Sequence, residues 1–292
     1  MAATYNELYL NLRRSLRASG VFDPDRSARE LMRRASGKTA EELVRDGRLY
    51  AAADAEQALR ELTDRCEAGE PLPYVIGEWE FYGLPLYITR DVLIPRPDTE
   101  TLAERAIEAA EACAECRALD LCAGSGCVGL ALGSRVPTAR VTLGELDEEA
   151  LKLCRRNIRR NNLGARVGAL RMDALAQPPK QLGSFDLIVC NPPYIPSGDI
   201  PGLDPSVRDY EPRLALDGGE DGLDFYRAIC RHWRAALRDG GVLMFEVGIG
   251  QAETVRNLLR GNGLEDVRIK DDLGGIARVV WGTLRKPGEP GK

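Results

Sequence analysis

The sequence predicts an α/β protein: an open seven-stranded sheet with helices on both faces and an antiparallel terminal hairpin, preceded by a small N-terminal helical bundle. Three observations lead there. Helix and strand patterns alternate from residue 98 onward. A glycine-rich turn joins the first of those strands to its helix. The final two strands follow each other with no helix between them, which requires antiparallel pairing. With 292 residues against a prior of about 150 per domain, two domains are expected.

Residues 1–70 are patterned for helices. Leu8, Leu12 and Leu16 recur at i+4. Asp23-Pro24-Asp25 reads as a helix start with proline in the first turn. Thr39 and Glu42 have capping-box spacing, and Asp54 opens a further helix through Leu59 and Leu62. The charges here nearly cancel, 12 basic against 13 acidic, so this segment carries no evident chemistry of its own. Pro71-Leu72-Pro73 breaks the helical pattern. The aromatic and β-branched run from Tyr74 to Thr89, centred on Gly83, predicts a hairpin within a connector over 71–93.

The second domain spans 94–285. Its expected order is helix 98–115, strand 117–122, helix 127–135, strand 139–145, helix 148–162, strand 166–171 and strand 185–190. A long loop over 195–221 carries Pro196, Pro201, Pro205 and Pro212, and loops of that length are usually functional; it is read as a substrate lid. Helix 222–238, strand 241–248, helix 250–261 and strands near 266–270 and 276–282 complete the domain. Residues 286–292 read as a flexible tail.

Composition narrows the chemistry. Forty Lys+Arg against 45 Asp+Glu give a net charge of −5, which disfavours a protein that grips nucleic acid through phosphates. The single histidine, His232, lies in an amphipathic helical pattern, so His-based metal sites and Ser-His-Asp catalysis are not expected. Of eight cysteines, Cys113 and Cys116 form a C-x-x-C without a second pair or a nearby histidine; they read as structural thiols, and no metal site is expected. No apolar stretch reaches membrane-spanning length and the N-terminus lacks a signal-peptide pattern, so a cytoplasmic protein without a membrane partner is expected.

The run Asp120-Leu-Cys122-Ala123-Gly124-Ser125-Gly126-Cys-Val-Gly129 follows a strand and opens a helix. Its glycines permit a tight turn, close approach of backbone to ligand, and close helix-to-strand packing. Glu145 closes the next strand 21 residues after Gly124, where an acid can accept ribose hydroxyls. This much suits NAD as well as any other adenosine-containing cofactor. Asp120 and Asp173, at the carboxyl ends of the first and third strands, would repel a pyrophosphate and favour a cationic ligand such as S-adenosylmethionine.

Asn191-Pro192-Pro193-Tyr194 sits at the carboxyl end of strand 185–190, facing the same crevice. The prolines remove two N–H donors, so the carbonyls here meet no local competitor. Asn191 offers a side-chain acceptor, Pro192 a backbone acceptor, and Tyr194 a flat ring. Such a set can hold and stack on a planar –NH2 group, with no imidazole needed.

With this tetrapeptide behind that glycine loop, the chain resembles the class I S-adenosylmethionine-dependent amino-methyltransferases. Within them it is similar to the release-factor glutamine N5-methyltransferases (the HemK/PrmC family). The likeness extends over Pro73 through Leu84, Val92 through Glu100 (Val-Leu-Ile-Pro-Arg-Pro-Asp-Thr-Glu), Asp120 through Leu132, Asn191 through Ile195, and Tyr210 through Tyr226. It implies a Rossmann-like methyltransferase sheet, with S-adenosylmethionine as cofactor. It also implies methylation of the glutamine amide nitrogen in the Gly-Gly-Gln motif of peptide chain release factors. The family's cofactor loop falls on Cys122 to Gly126, its ribose acid on Glu145 and its substrate amide clamp on Asn191 to Tyr194, with Asn191 expected to touch the cofactor as well. Where many members carry a bulky residue against the adenine, this chain has Ala174. Arg96 and Glu100 are expected at the substrate mouth, and Asp98 there or as a helix cap. The helical domain is expected to dock the protein substrate. The alternatives are an adenine N6-methyltransferase acting on nucleic acid, with the tetrapeptide holding a flipped base, a cofactor-binding scaffold, and an NAD oxidoreductase.

Overall fold

The computed structural model describes residues 3–285. The chain divides into two compact units: residues up to Glu78 together with Asp204–Tyr210, and Trp79–Leu203 together with the chain from Glu211 onward. The expected tail at 286–292 lies outside the described residues.

The first unit is helical: α1 (Tyr5–Ala18), α2 (Pro24–Ser36), α3 (Ala40–Arg45), α4 (Ala53–Glu67) and α5 (Leu72–Ile76). Local chemistry sets its boundaries. Thr4 and Thr39 each form a reciprocal capping box, with Glu7 and Glu42. Asp23 accepts from the Arg26 N–H ahead of Pro24. Leu12, Leu16, Leu31, Met32 and Leu59 are buried together as its core. Around Pro71-Leu72-Pro73 the structure differs from expectation. Those prolines open the short α5 instead of leading into a strand, because proline is tolerated where the first turn needs no N–H donor. The carbonyls of Tyr74 and Val75 are then satisfied by the Arg65 guanidinium at 3.1 and 3.2 Å, which also pairs with buried Glu70. The Tyr210 hydroxyl donates to the Ala68 carbonyl at 2.8 Å, and this joins 204–210 to the helices.

The hairpin is shorter than the aromatic run: β1 (Glu78–Phe81) and β2 (Leu84–Tyr87) flank a Tyr82-Gly83 turn in which both residues have positive φ. Next come α6 (Thr99–Glu111), β3 (Arg117–Leu121), α7 (Cys127–Arg135), β4 (Arg140–Glu145), α8 (Glu148–Arg160), β5 (Val167–Arg171) and β6 (Phe185–Cys190). The chain continues through α9 (Pro205–Arg208), α10 (Asp224–His232), β7 (Leu237–Glu246), α11 (Ala252–Gly261), β8 (Leu264–Asp271) and β9 (Ala277–Leu284). The seven-stranded sheet runs β5-β4-β3-β6-β7-β9-β8. Strands β3 to β7 pair in parallel, and β9 runs antiparallel to both β7 and β8.

Helix 222–238 proves shorter than its pattern. It ends at His232, passes through a 3-10 turn, and strand β7 begins already at Leu237. At the break Trp233 is fully buried, and its Nε1 donates to the Ala174 carbonyl at 3.0 Å. The central core joins Leu119, Leu121, Ile188, Leu243 and Phe245 from the strands to Tyr226, Ile229 and Trp233.

The topology places the site. After β3 the chain builds outward through β4 and β5, then returns to lay β6 on the other side of β3. Beyond the carboxyl ends of β3 and β6 the connections diverge and leave a crevice. Packing beneath it is close. A Cβ on Gly129 would lie 2.3 Å from Leu143 Cδ2, 3.0 Å from Asp120 Oδ2 and 3.1 Å from Val141 Cγ1. Gly129→Ala is therefore expected to destabilise the protein by about 1–3 kcal/mol through overpacking. A urea-unfolding midpoint equal to wild type would contradict this.

Candidate active site

A cavity of about 270 Å³ opens at that crevice, wholly within the second unit. Its floor is the turn after β3. Cys122, Gly124 and Gly126 hold positive φ of 57°, 55° and 83°, and Gly126 N–H donates back to the Ala123 carbonyl at 2.7 Å. The Gly124 Cβ position meets nothing within 4 Å, so the backbone there is bare toward the cavity. Ser125 lines the cavity, and its buried hydroxyl oxygen has no hydrogen-bond partner among the described residues. Asn157, on the apolar stripe of α8 and fully buried, pins the turn from behind. Its Nδ2 donates to the carbonyls of Ser125 (2.9 Å) and Tyr87 (3.1 Å), while its Oδ1 accepts from Tyr87 N–H (2.7 Å).

The acids stand as the sequence places them, on strand ends. Asp120 is 2% exposed and its Oδ2 accepts from Gly129 N–H, 2.8 Å away in the first turn of α7. Burial raises its pKa to about 7; the Gly129 N–H opposes the rise and Glu145 adds to it. Glu145 latches the turn, with Oε2 accepting from Gly124 N–H (2.8 Å) and Oε1 from Leu146 (2.7 Å) and Asp147 (3.0 Å). Three of its roughly four acceptor positions are in use, leaving one on Oε2 for a ligand. Asp173 accepts from Leu175 N–H at 2.8 Å, and Ala174 is buried beneath. The wall left open by that small residue is lined by Leu146 and Leu175, which stay partly exposed.

Asn191 and Pro193 line the opposite side with Thr99, Pro95 and Phe225; Pro192 and Tyr194 adjoin them in the chain without lining this cavity, and Tyr194 is only partly buried. Asn191 Nδ2 donates to Thr99 Oγ1 at 3.4 Å. The Tyr194 carbonyl is held by Gln251 Nε2 at 2.9 Å, and the same side chain accepts from Gly248 N–H at 3.0 Å. The segment after the tetrapeptide packs directly on it: a Cβ on Gly222 would fall 2.3 Å from the Tyr194 carbonyl oxygen. Burial pushes the Tyr194 phenol up to about 12, so it stays neutral.

Three expected mouth residues face elsewhere. Arg96 pairs with buried Glu211, Glu100 accepts from Tyr82 N–H at 3.0 Å, and Asp98 gives α6 no side-chain cap but pairs with Arg278 at 3.0 Å. None of the three lines the cavity. Thr99, Asn157, Glu246 and Gln251 escaped sequence reasoning, although Asn157 left a trace as a polar residue at i+3 and i+4 from Cys154 and Leu153 in an apolar stripe.

The lining carries five carboxylates (Asp91, Asp120, Glu145, Asp147, Asp173) against one base, Arg90. That balance repels a pyrophosphate and fits an adenosine cofactor whose reactive end is cationic. The bare Gly124 backbone and the orphaned Ser125 hydroxyl give such a group polar partners.

An open sheet with a glycine turn and an acidic crevice at its switch point is the frame of a nucleotide-cofactor enzyme, and here residues 99–200 match the model of the methyltransferase small domain, which makes the class a methyltransferase. A crystal structure of a methyltransferase from Pyrococcus furiosus shares the fold, with a TM-score of 0.51 and 18% identity over 80% of this chain and 100% of that one. Residues 7–77 match the model of the PrmC N-terminal domain. A release factor glutamine methyltransferase from Geobacter sulfurreducens is 47% identical over 229 residues, 78% of each chain. One from Rhodospirillum rubrum is 41% identical over 275 residues, 94% of this chain and 83% of its own. The chain belongs to the release factor glutamine methyltransferase family. Among the described residues no helix is long and apolar enough to cross a membrane.

Proposed function

We propose that this protein acts in the cytoplasm and methylates the side-chain amide nitrogen of the Gly-Gly-Gln glutamine in peptide chain release factors, using S-adenosylmethionine, and so tunes translation termination. The observation that carries this reading is the Asn191 amide, set in the cavity that the glycine turn floors, with its nitrogen turned to Thr99. S-adenosylmethionine supplies an electrophilic methyl group when bound. Glu145 and the turn from Cys122 to Gly126 hold its nucleoside, Asp120 and Asp173 offer negative charge to its cationic end, and Ala174 gives room that Leu146 and Leu175 close.

An amide nitrogen is a weak nucleophile because its lone pair is delocalised. Asn191 Oδ1 and the Pro192 carbonyl accept its two hydrogens, which raises electron density on nitrogen and fixes its direction of attack. The Tyr194 ring, beside the cavity wall, would stack on the amide plane as the substrate enters, and its neutral phenol would add no charge there. In transfer the amide nitrogen would exchange one of its two protons, released to water beside the Asn191 and Pro192 carbonyls, for the methyl group that S-adenosylmethionine would supply. Arg96 and Glu100 keep the mouth in place through Glu211 and Tyr82. The helical unit supplies docking area that one glutamine side chain lacks.

Mass spectrometry of a release factor incubated with the protein and cofactor should find one added methyl group on the Gly-Gly-Gln glutamine. KM for the whole factor should lie at least about tenfold below that of a short Gly-Gly-Gln peptide, since distant contacts contribute binding. Label passing to DNA or RNA in place of the factor would overturn the assignment. Equal KM values would remove the docking role.

A further inference from the structure

The end of β7 holds a buried acid that the reaction as described does not use. Glu246 is 2% exposed, and its Oε2 is buried with no hydrogen-bond partner among the described residues. The Thr99 hydroxyl and the Asn191 amide are the side-chain donors that face this carboxylate. Thr99, also 2% exposed, is itself an acceptor for Asn191 Nδ2 at 3.4 Å. Acceptors from α6 and β7 therefore gather at the nitrogen end of the Asn191 amide. The two ends of a carboxamide are nearly alike in shape, so hydrogen bonds alone decide which end points where. Turned over, Asn191 would offer N–H donors to a substrate –NH2 that has no acceptor for them.

We propose that Glu246 is a positioning residue: its carboxylate, beside Thr99 and the Asn191 amide, favours the orientation in which Nδ2 points inward to Thr99 and Oδ1 faces the substrate amide. The proposal rests on Asn191 being the amide clamp.

The groups around Glu246 make this orientation sensitive to pH. Arg278 from β9 faces it while pairing with Asp98 (3.0 Å) and Asp272 (3.1 Å). Asp98 at the start of α6, Cys127 of α7, Tyr194 and Tyr226 of α10 are the other titratable neighbours. The Tyr226 hydroxyl donates to the Glu246 backbone carbonyl at 3.0 Å. Burial raises the Glu246 carboxyl to about 7 and Asp98 adds to that, against the pull of Thr99, Arg278 and Asn191. Once protonated, the acid can donate to Asn191 Oδ1 and the preference between the two orientations is lost. Turnover should therefore rise with pH through about 7 in a one-proton step.

The test uses the full-length protein, a release factor, and saturating S-adenosylmethionine so that Asp120, which titrates in the same range, does not enter through cofactor binding. In Glu246→Gln, kcat is expected to fall roughly 10- to 100-fold from misorientation. Its acid limb should vanish, while the cofactor Kd stays within about twofold. Glu246→Asp keeps a carboxylate and should keep a limb, displaced from the wild-type position. Because the effect passes through Asn191, Glu246→Gln should cost nothing further in an Asn191→Ala background. Full activity in Glu246→Gln, an unchanged limb, or an added loss in the double variant would overturn the proposal. Should Glu246→Gln fail to fold, a Glu246→Asp limb at the wild-type position does so. An Asn191→Ala protein with wild-type turnover would instead defeat the clamp reading itself.

Discussion

Asn191→Ala is expected to lower kcat by about 10²- to 10³-fold, the cost of removing one preorganised hydrogen-bond partner from a reacting centre. Asn191 directly follows β6, a central strand paired with β3 on one side and β7 on the other, so its backbone position is not in play. What is lost is one acceptor, together with the direction it imposes on the attacking nitrogen. The Pro192 carbonyl remains and should sustain a residual rate. The residues proposed to hold the cofactor follow β3, β4 and β5 rather than β6, so cofactor affinity should change by no more than about twofold. Single-turnover transfer to a release factor, with calorimetry for the cofactor, separates the two quantities. A variant that bound cofactor poorly and turned over normally once saturated would reverse the assignment of roles.

The other large effect is expected at Glu145. Its carboxylate receives three backbone N–H groups, from Gly124, Leu146 and Asp147, at 2.7 to 3.0 Å. Glu145→Ala frees all three at once and removes the acceptor left for a ribose hydroxyl. Hydrogen bonds to a charged group are worth about 1.5–3 kcal/mol each, and an unpaired donor near the surface recovers part of that from water. Loss of the ribose contact and unlatching of the turn should together weaken cofactor binding by about 100-fold or more, roughly 2.8 kcal/mol. Glu145→Gln keeps a carbonyl acceptor and should fall between. Titration calorimetry reads both variants directly, and an unchanged Kd in Glu145→Ala would show that the turn needs no latch.

The parts of this site that the sequence exposes share a property: their roles depend on residues near them in the chain. Asp120 and Gly129 are nine positions apart and meet through one hydrogen bond across a strand-to-helix turn. Gly124 needs its left-handed backbone whatever the rest of the chain does. Asn191-Pro192-Pro193-Tyr194 is legible because two prolines remove donors locally. The missed residues act across distance. Thr99 and Asn191 are 92 positions apart, Gln251 and Tyr194 are 57, and Asn157 and Tyr87 are 70. Arg96 and Glu100 went to other partners for the same reason: Glu211 lies 115 positions from Arg96, and spacing along the chain carries no trace of it.

The sequence by itself determined the alternation of helices and strands, the antiparallel end of the sheet, the glycine turn with its acids, and the tetrapeptide. Periodicity and turn chemistry act within a few residues and can be read in order. Only the tertiary structure decided that the 72–76 segment is helix, that the helix before β7 stops at Trp233, and that residues 204–210 join the helical unit. It alone also decided which way the Asn191 amide is pressed to face. Each of these follows from burying a side chain or satisfying a polar group against a partner far along the chain. Such partners become neighbours only once the sheet order β5-β4-β3-β6-β7-β9-β8 has formed. A carboxamide's two ends look alike in sequence, and Glu246 tells them apart only after folding brings β7 beside β6.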